Sequence, residues 1–191
     1  MAITAVLGLG NPGVRFAATR HNIGFEVVDE LRRRHARGRW VRRASCEMVV
    51  AEIGVLVVLA RPLTFMNRSG EAADRFLSHF GFGSDGLLVV VDDVDLGLGR
   101  LRIRPAGGPG THNGMRSLCQ SLGSAFPRLR VGVRGGEVRG SLADYVLSPF
   151  ASDEQERAEA VINRAADAVE VAIGNGLDCA MNEFNRTLAE S

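Results

Sequence analysis

The chain has 191 residues, 46% of them apolar and 24% charged, with a formal net charge of +1. That is the size of one ordinary domain, long enough to bury a core without disulfides or metal, and the composition excludes a disordered or fibrous chain. The three cysteines, Cys46, Cys119 and Cys179, are odd in number and far apart, which fits reduced thiols in a cytosolic compartment better than a disulfide framework.

Residues 1–10 lack the basic start of a signal peptide and run straight into Asn11-Pro12. No apolar run approaches the roughly 18 residues that cross a bilayer. A soluble, cytoplasmic protein with no membrane partner is expected. Residues 4–7 read as a first buried strand, and residues 22–35 carry Ile23, Val27, Val28 and Leu31 at the spacing of an amphipathic helix. Residues 48–53 and 55–60 read as two strands joined by a tight turn at Gly54. Residues 67–80 are helical, with Ala72, Ala73, Phe76, Leu77 and Phe80 as the core stripe. Residues 87–91 form a continuous apolar run, as in a central strand covered on both faces.

Two later strands alternate. Leu101 and Ile103 oppose Arg100, Arg102 and Arg104, while Leu129, Val131 and Val133 oppose Arg128, Arg130 and Arg134, and residues 113–122 between them read as a short helix. Ser152 to Gln155 has the pattern of a capping box, opening a helix that Gly174 and Gly176 stop; a last helix is expected over 177–188. Interleaved strands and helices, with no repeat and no linker, predict a single α/β domain over 1–191: a twisted, mixed central β-sheet flanked by helices.

Charge is unevenly placed. Residues 96–136 contain seven arginines and no acid, and residues 32–43 hold another seven arginines. Residues 151–191 carry nine acids against three arginines. The separation suggests a basic face that meets a polyanion, although solvated surface arginine gives the same count.

Gly8-Leu9-Gly10-Asn11-Pro12-Gly13 matches the dinucleotide fingerprint, but Pro12 and residues 14–19 intervene before the helix, and Asp29 and Glu30 lie within that helix. Gly107-Gly108-Pro109-Gly110 precedes Thr111-His112-Asn113-Gly114 without the lysine of a P-loop, and reads as flexible backbone that can approach a ligand closely. Asp92, Asp93 and Asp95 stand just past a central strand, a place where α/β proteins put site residues. They invite a hard-cation reading, but the spacing fails the EF-hand pattern at Gly97. There is no nucleophile elbow. His21, on the loop between first strand and first helix and on the same edge as Asp92, is a candidate general base. Asn11, Asn67 and Asn113 stand at element junctions, where a cap or turn role is the alternative to a binding one.

Together, GLGNPGVRFAATRHNIG (8–24), RPLTFMNRSG (61–70), VVVDDVDLGLGRLRIR (89–104), GGPGTHNGMRSL (107–118), RLRVGV (128–133) and DYVLSPF (144–150) resemble bacterial peptidyl-tRNA hydrolase. The resemblance is collinear from about residue 3 to about residue 188. It implies hydrolysis of the ester between a peptide and the 3′-ribose of tRNA, by a monomer with no cofactor and no metal. It gives His21 the role of base that activates water and Asp92 that of orienting it, with Asn11 beside them. Phe16, Phe65, Asn67 and Asn113 would line the cleft for peptide and ribose, where amides suit a peptide backbone of any sequence. Arg102, Arg104 and Arg130 would hold tRNA phosphates.

Some positions depart from the family pattern. Val91 replaces a His common beside the aspartate, Phe16 a Tyr, Pro109 a Gly, and arginines stand for lysines on the phosphate face. Two rival readings remain: an RNA-binding adaptor of the kind found in organelle intron splicing, and a metal-dependent phosphoesterase on Asp92, Asp93 and Asp95.

Overall fold

The continuous apolar runs of the sequence become the middle of one sheet. A computed structural model of the chain describes residues 2–186 apart from 137 and 139. Strands β1 (Ala5–Gly8), β2 (Val41–Arg43), β3 (Cys46–Ile53), β4 (Val55–Pro62), β5 (Leu87–Gly97), β6 (Leu101–Arg104) and β7 (Arg128–Arg134) form a seven-stranded sheet in the order β2-β3-β4-β1-β5-β7-β6. The inner four are parallel, and the antiparallel strands lie at the margins.

Alternation along β1 sorts the layers. Val6 joins a core with helices α1 (Ile23–His35), α5 (Gln155–Gly174) and α6 (Leu177–Phe184). Ala5 and Leu7 join the opposite core with α2 (Ser69–Phe80) and α3 (Asn113–Leu122). Burying both faces of a parallel centre is what its aliphatic sequence requires. A short helix, α4 (Leu142–Val146), lies outside these layers.

One close approach sets the position of everything at the carboxyl edge. A Cβ on Gly8 would sit 2.1 Å from the Gly24 carbonyl oxygen, and one on Gly24 would sit 2.5 Å from Leu9 and Val90 backbone atoms. The first turn of α1 therefore lies directly on the ends of β1 and β5. Gly8 is thus a packing residue of the fingerprint-like stretch, whose last glycine leads into a 3₁₀ turn (Val14–Phe16) and not a helix.

Several expectations need correction. Strand β5 does not end at 91 but runs to Gly97, so Asp92 and Asp93 lie within it, before a register shift against β7. Ser152 makes no cap: Glu154 is the N-cap of α5, and its carboxylate is drawn instead to Arg20 (2.6 Å) and the Ala151 N–H (2.8 Å). Helix α6 ends at Phe184, short of the expected 177–188: residues 185–186 are not helical, and 187–188 lie outside the described residues. Arg128 does not face out: it is 1% exposed and donates to the carbonyls of Gly107, Ser124 and Phe126. With Arg130 donating to Gly108 and Pro109 oxygens, the glycine loop is tied down by two guanidiniums rather than free. Among the described residues, no helix is long and apolar enough to cross a membrane.

Candidate active site

A cleft of about 480 Å³ opens beyond the end of β1, over the carboxyl half of β5 and beside Arg130 of β7. Its lining includes Asn11, His21, Phe65, Asn67, Asp92, Asp93, His112, Asn113 and Arg130, together with apolar side chains of α4. Most of the site residues expected from sequence are therefore brought together in one place.

His21 sits in a 3₁₀ turn (Arg20–Asn22) that leads into α1. Its neighbours on both sides fix that turn. Arg20 is buried, pairs with Glu154, and lies over the rings of Tyr145 (4.5 Å) and Phe150 (4.7 Å). Asn22, also buried, accepts from the Asn11 N–H (2.8 Å) and donates to the Asn11 carbonyl (3.0 Å). The His21 and Asn11 loops are thereby locked to each other.

Asp92 is 2% exposed and lies between two imidazoles. His21 Nδ1 is 2.9 and 3.0 Å from its two oxygens, and His112 Nε2 is 2.8 Å from Oδ1. The partners assign the protons. His112 Nδ1 accepts the Met115 N–H (3.2 Å) as the N-cap of α3, so its proton is on Nε2 and is donated to Asp92. His21 in turn donates from Nδ1, which leaves Nε2 with a free lone pair in the cleft. Burial alone would raise the Asp92 carboxyl, but the imidazoles of His112 and His21 hold it well below the usual carboxylate range. A permanent carboxylate behind a histidine is the arrangement that stabilises an imidazolium once the ring takes a proton.

The amides differ in freedom. Asn11 Oδ1 accepts the Met66 N–H (2.8 Å), which turns its NH₂ group to the remaining direction as a donor. Asn67 and Asn113 are both exposed. Neither caps a helix: α2 begins at Ser69, and His112 takes the cap of α3. Asn113 Oδ1 accepts from Arg116 (2.8 Å). Phe65 is 59% exposed at the cleft, and Phe16, outside the lining, packs edge-on against it at 6.3 Å. Val91 is fully buried in the core beside α2 and α3, so the second imidazole of this site comes from His112.

The three neighbouring carboxylates do not converge. Asp93 pairs with Arg130 (3.1 Å) and accepts the Asp95 N–H (2.9 Å), while Asp95 is exposed. Among the described residues, the grouping of metal-type ligands is instead His21, Asp92 and His112, whose ligand atoms lie within 4.8 Å of one another. Their 2.8–3.0 Å separations are hydrogen-bond distances. Ligands around a tetrahedral zinc, with bonds of about 2.0–2.1 Å, would stand roughly 3.3 Å apart.

Arg102 and Arg104 are exposed on the edge strand β6, while Arg130, opposite Arg102 in register, is half-buried against Asp93. An acid from outside the 96–136 stretch thus partly neutralises one of the three. The residues missed in the sequence are His112, Asn22 and the Asp93–Arg130 pair. His112 carried a signal in standing beside a glycine loop and an asparagine, but its partner is 20 residues away.

The family model described as peptidyl-tRNA hydrolase matches residues 5–191. The peptidyl-tRNA hydrolase of Chloroflexus aurantiacus is 46% identical over 183 residues, covering 94% of this chain and 97% of that protein. That of Roseiflexus castenholzii is 48% identical, covering 94% and 86%. The crystal structure of peptidyl-tRNA hydrolase from Acinetobacter baumannii superposes with a TM-score of 0.88 at 30% identity, over 96% of this chain and 94% of that one. The chain belongs to the peptidyl-tRNA hydrolase family.

Proposed function

We infer that this chain hydrolyses the ester that joins a peptide to the 3′-ribose of tRNA, with His21 as general base. The observation that carries the reading is the proton-ordered series His112–Asp92–His21, which leaves Nε2 of His21 as an open lone pair in an amide-lined cleft. A water between Nε2 and the ester carbonyl gives its proton to His21, and its oxygen attacks the carbon. Asp92 supports the imidazolium that forms, and His112, by donating to Asp92, keeps it from taking that proton itself. The free NH₂ of Asn11 donates to the developing oxyanion. The tetrahedral intermediate then collapses, the C–O bond to the ribose breaks, and His21 returns its proton to the leaving 3′-oxygen. A general base contributes about 10²–10⁴-fold, and one oxyanion donor about 10²–10³-fold.

Asn67 and Asn113 grip the peptide backbone or ribose, and Phe65 and Phe16 cover the apolar part of the peptide. Arg102, Arg104 and Arg130 meet tRNA phosphates. The protein works as a cytoplasmic monomer without metal. The test is turnover of peptidyl-tRNA by wild type and His21→Ala. Near-normal turnover in the variant would sink the mechanism. The metal reading retains one observation in its favour, the convergence of His21, Asp92 and His112. It wins if activity disappears on exhaustive chelation and returns with Zn²⁺ or Mg²⁺. An adaptor that only bound RNA would have no use for the ordered proton series.

A further inference from the structure

A second cavity, about 510 Å³, lies beyond the edge strand, between the turn joining β5 to β6, helix α5 and the end of α6. Arg100, Arg102, Arg157, Arg164 and Arg186 line it, and among the described residues no carboxylate does. Five guanidiniums in one hollow repel one another, and acids or an external anion would relieve that repulsion. Two acids close to these arginines are already committed. Glu154, close to Arg157, accepts from Arg20 and the Ala151 N–H, and Asp167, close to Arg164, accepts from Arg34. Among the described residues, no ion pair involves any of the five lining arginines.

The walls are held in place. Arg157 donates to the Leu98 carbonyl (3.1 Å), and Arg164 to those of Gly99 (3.2 Å) and Phe184 (3.4 Å). Asn185 makes two bonds to the backbone of Ile103, fixing the outer side of β6. Arg164 is half-buried, and burial pushes its guanidinium below the usual range, so the charge is costly where it stands. Arg100 and Arg157 are exposed, and the Arg100 side chain has no hydrogen-bond partner among the described residues.

The hollow and the catalytic cleft border the same pair of strands. Arg130 lines the cleft, Arg102 lines the hollow, and the two are cross-strand partners, roughly 5 Å apart at Cα. A phosphodiester chain leaving the cleft over Arg130 meets Arg102 one strand away and then Arg100 and Arg157. We propose that this arginine hollow is a second phosphate site, which holds backbone phosphates of the bound tRNA beyond those at Arg102, Arg104 and Arg130. It rests on the reading that those three arginines meet tRNA.

The experiment measures the affinity of deacylated tRNA against salt concentration for wild type, Arg100→Gln, Arg100→Gln/Arg157→Gln, Arg157→Lys and Arg102→Gln. Loss of each contact flattens the log–log slope by roughly 0.7–0.9. The double variant is expected to bind more weakly with a flatter slope, Arg100→Gln to lose part of it, and Arg157→Lys to keep it. Arg100→Gln removes no intramolecular bond, so it reports even if Arg157→Gln perturbs the turn. A flattened slope in Arg102→Gln with unchanged slopes in the hollow variants overturns the second site and leaves the first reading standing. Unchanged slopes in all variants overturn both. Thermal stabilisation by inorganic phosphate that the double variant loses, with its tRNA slope intact, makes the hollow a free-anion site and overturns the RNA assignment.

Discussion

The floor of the catalytic cleft and its arginine rim are made of charged groups under opposite conditions. On the floor, Asp92 is almost wholly out of water and each of its oxygens is in contact with an imidazole. On the rim, Arg102 and Arg104 are exposed and make no ion pair among the described residues. Charges on the floor interact through a poorly screening interior, so a single altered atom changes the chemistry. Charges on the rim are screened by salt and act on a polyanion in concert. On the function proposed above, the contrast would separate a part that sets rate from a part that sets affinity, and it can be tested residue by residue.

The largest expected effect is on the floor. His21→Ala should lower kcat by about 10²–10⁴-fold with tRNA binding nearly intact. Asp92→Asn keeps a hydrogen bond but cannot support the imidazolium, and should lower kcat by about 10²–10⁴-fold as well. Asp93→Asn and Asp95→Asn should do much less, since Asp93 serves Arg130 and Asp95 is exposed. Equal losses at all three would place the wrong carboxylate on the floor.

His112 sits between cap and catalysis, and its variants divide the two. Losing its bond to a buried carboxylate should cost about 10-fold or more in kcat, since such bonds are worth about 1.5–3 kcal/mol. Losing the cap of α3 should cost about 0.5–2 kcal/mol in stability. His112→Asn retains a capping oxygen, so its melting temperature should recover most of what His112→Ala loses, while kcat stays low. Recovery of both together would make His112 only a cap.

Asp92 also links the floor to acid stability. Its folded pKa is depressed, so its contribution is fully present above the unfolded aspartate value, about 3.9, and is lost as pH falls from there toward the folded one. Asp92→Asn should therefore lose less stability than wild type between about pH 4 and pH 2, read from denaturant midpoints. An unchanged acid limb would mean the carboxylate is not held ionised by its neighbours.

The smallest effects are on the rim. Arg102→Ala or Arg104→Ala should raise KM for full-length peptidyl-tRNA, flatten the salt slope by roughly 0.7–0.9 each, and leave kcat close to wild type. Arg130, already paired with Asp93, should give a smaller change in slope.

The architecture was largely legible, because periodicity reports burial. The run 87–91 is buried at every position, and the alternation of Leu101 and Ile103 with Arg102 and Arg104 reappears as inward and outward faces. What periodicity lacks is the identity of a partner. Alternation put Arg128 and Arg130 on one side of β7, yet that side is covered by the 107–110 loop, and the guanidiniums are spent on its carbonyls and on Asp93. The arginine cluster at 32–43 shows the same limit. Arg33 and Arg34 pair with Glu30, Arg34 also with Asp167 and Glu170, and Arg42 with Glu47. Counting charge along the chain does not count the charge left available. At the site, His21 and Asp92 are readable on the resemblance, on the loop between β1 and α1, and on the apolar run that leads to Asp92. His112 and Asn22 have no such signal, because each acts through a contact that only the folded edge creates.

Single-turnover hydrolysis at saturating enzyme tests the division between floor and rim most directly, because saturation removes any deficit in affinity. His21→Ala and the Arg102→Ala/Arg104→Ala double variant would be compared with wild type on the same peptidyl-tRNA. The floor variant should remain slower by about 10²-fold or more, while the rim variant returns to the wild-type rate. A rim variant that stays slow at saturation, or a His21→Ala enzyme that recovers, would contradict the assignment of chemistry to the floor.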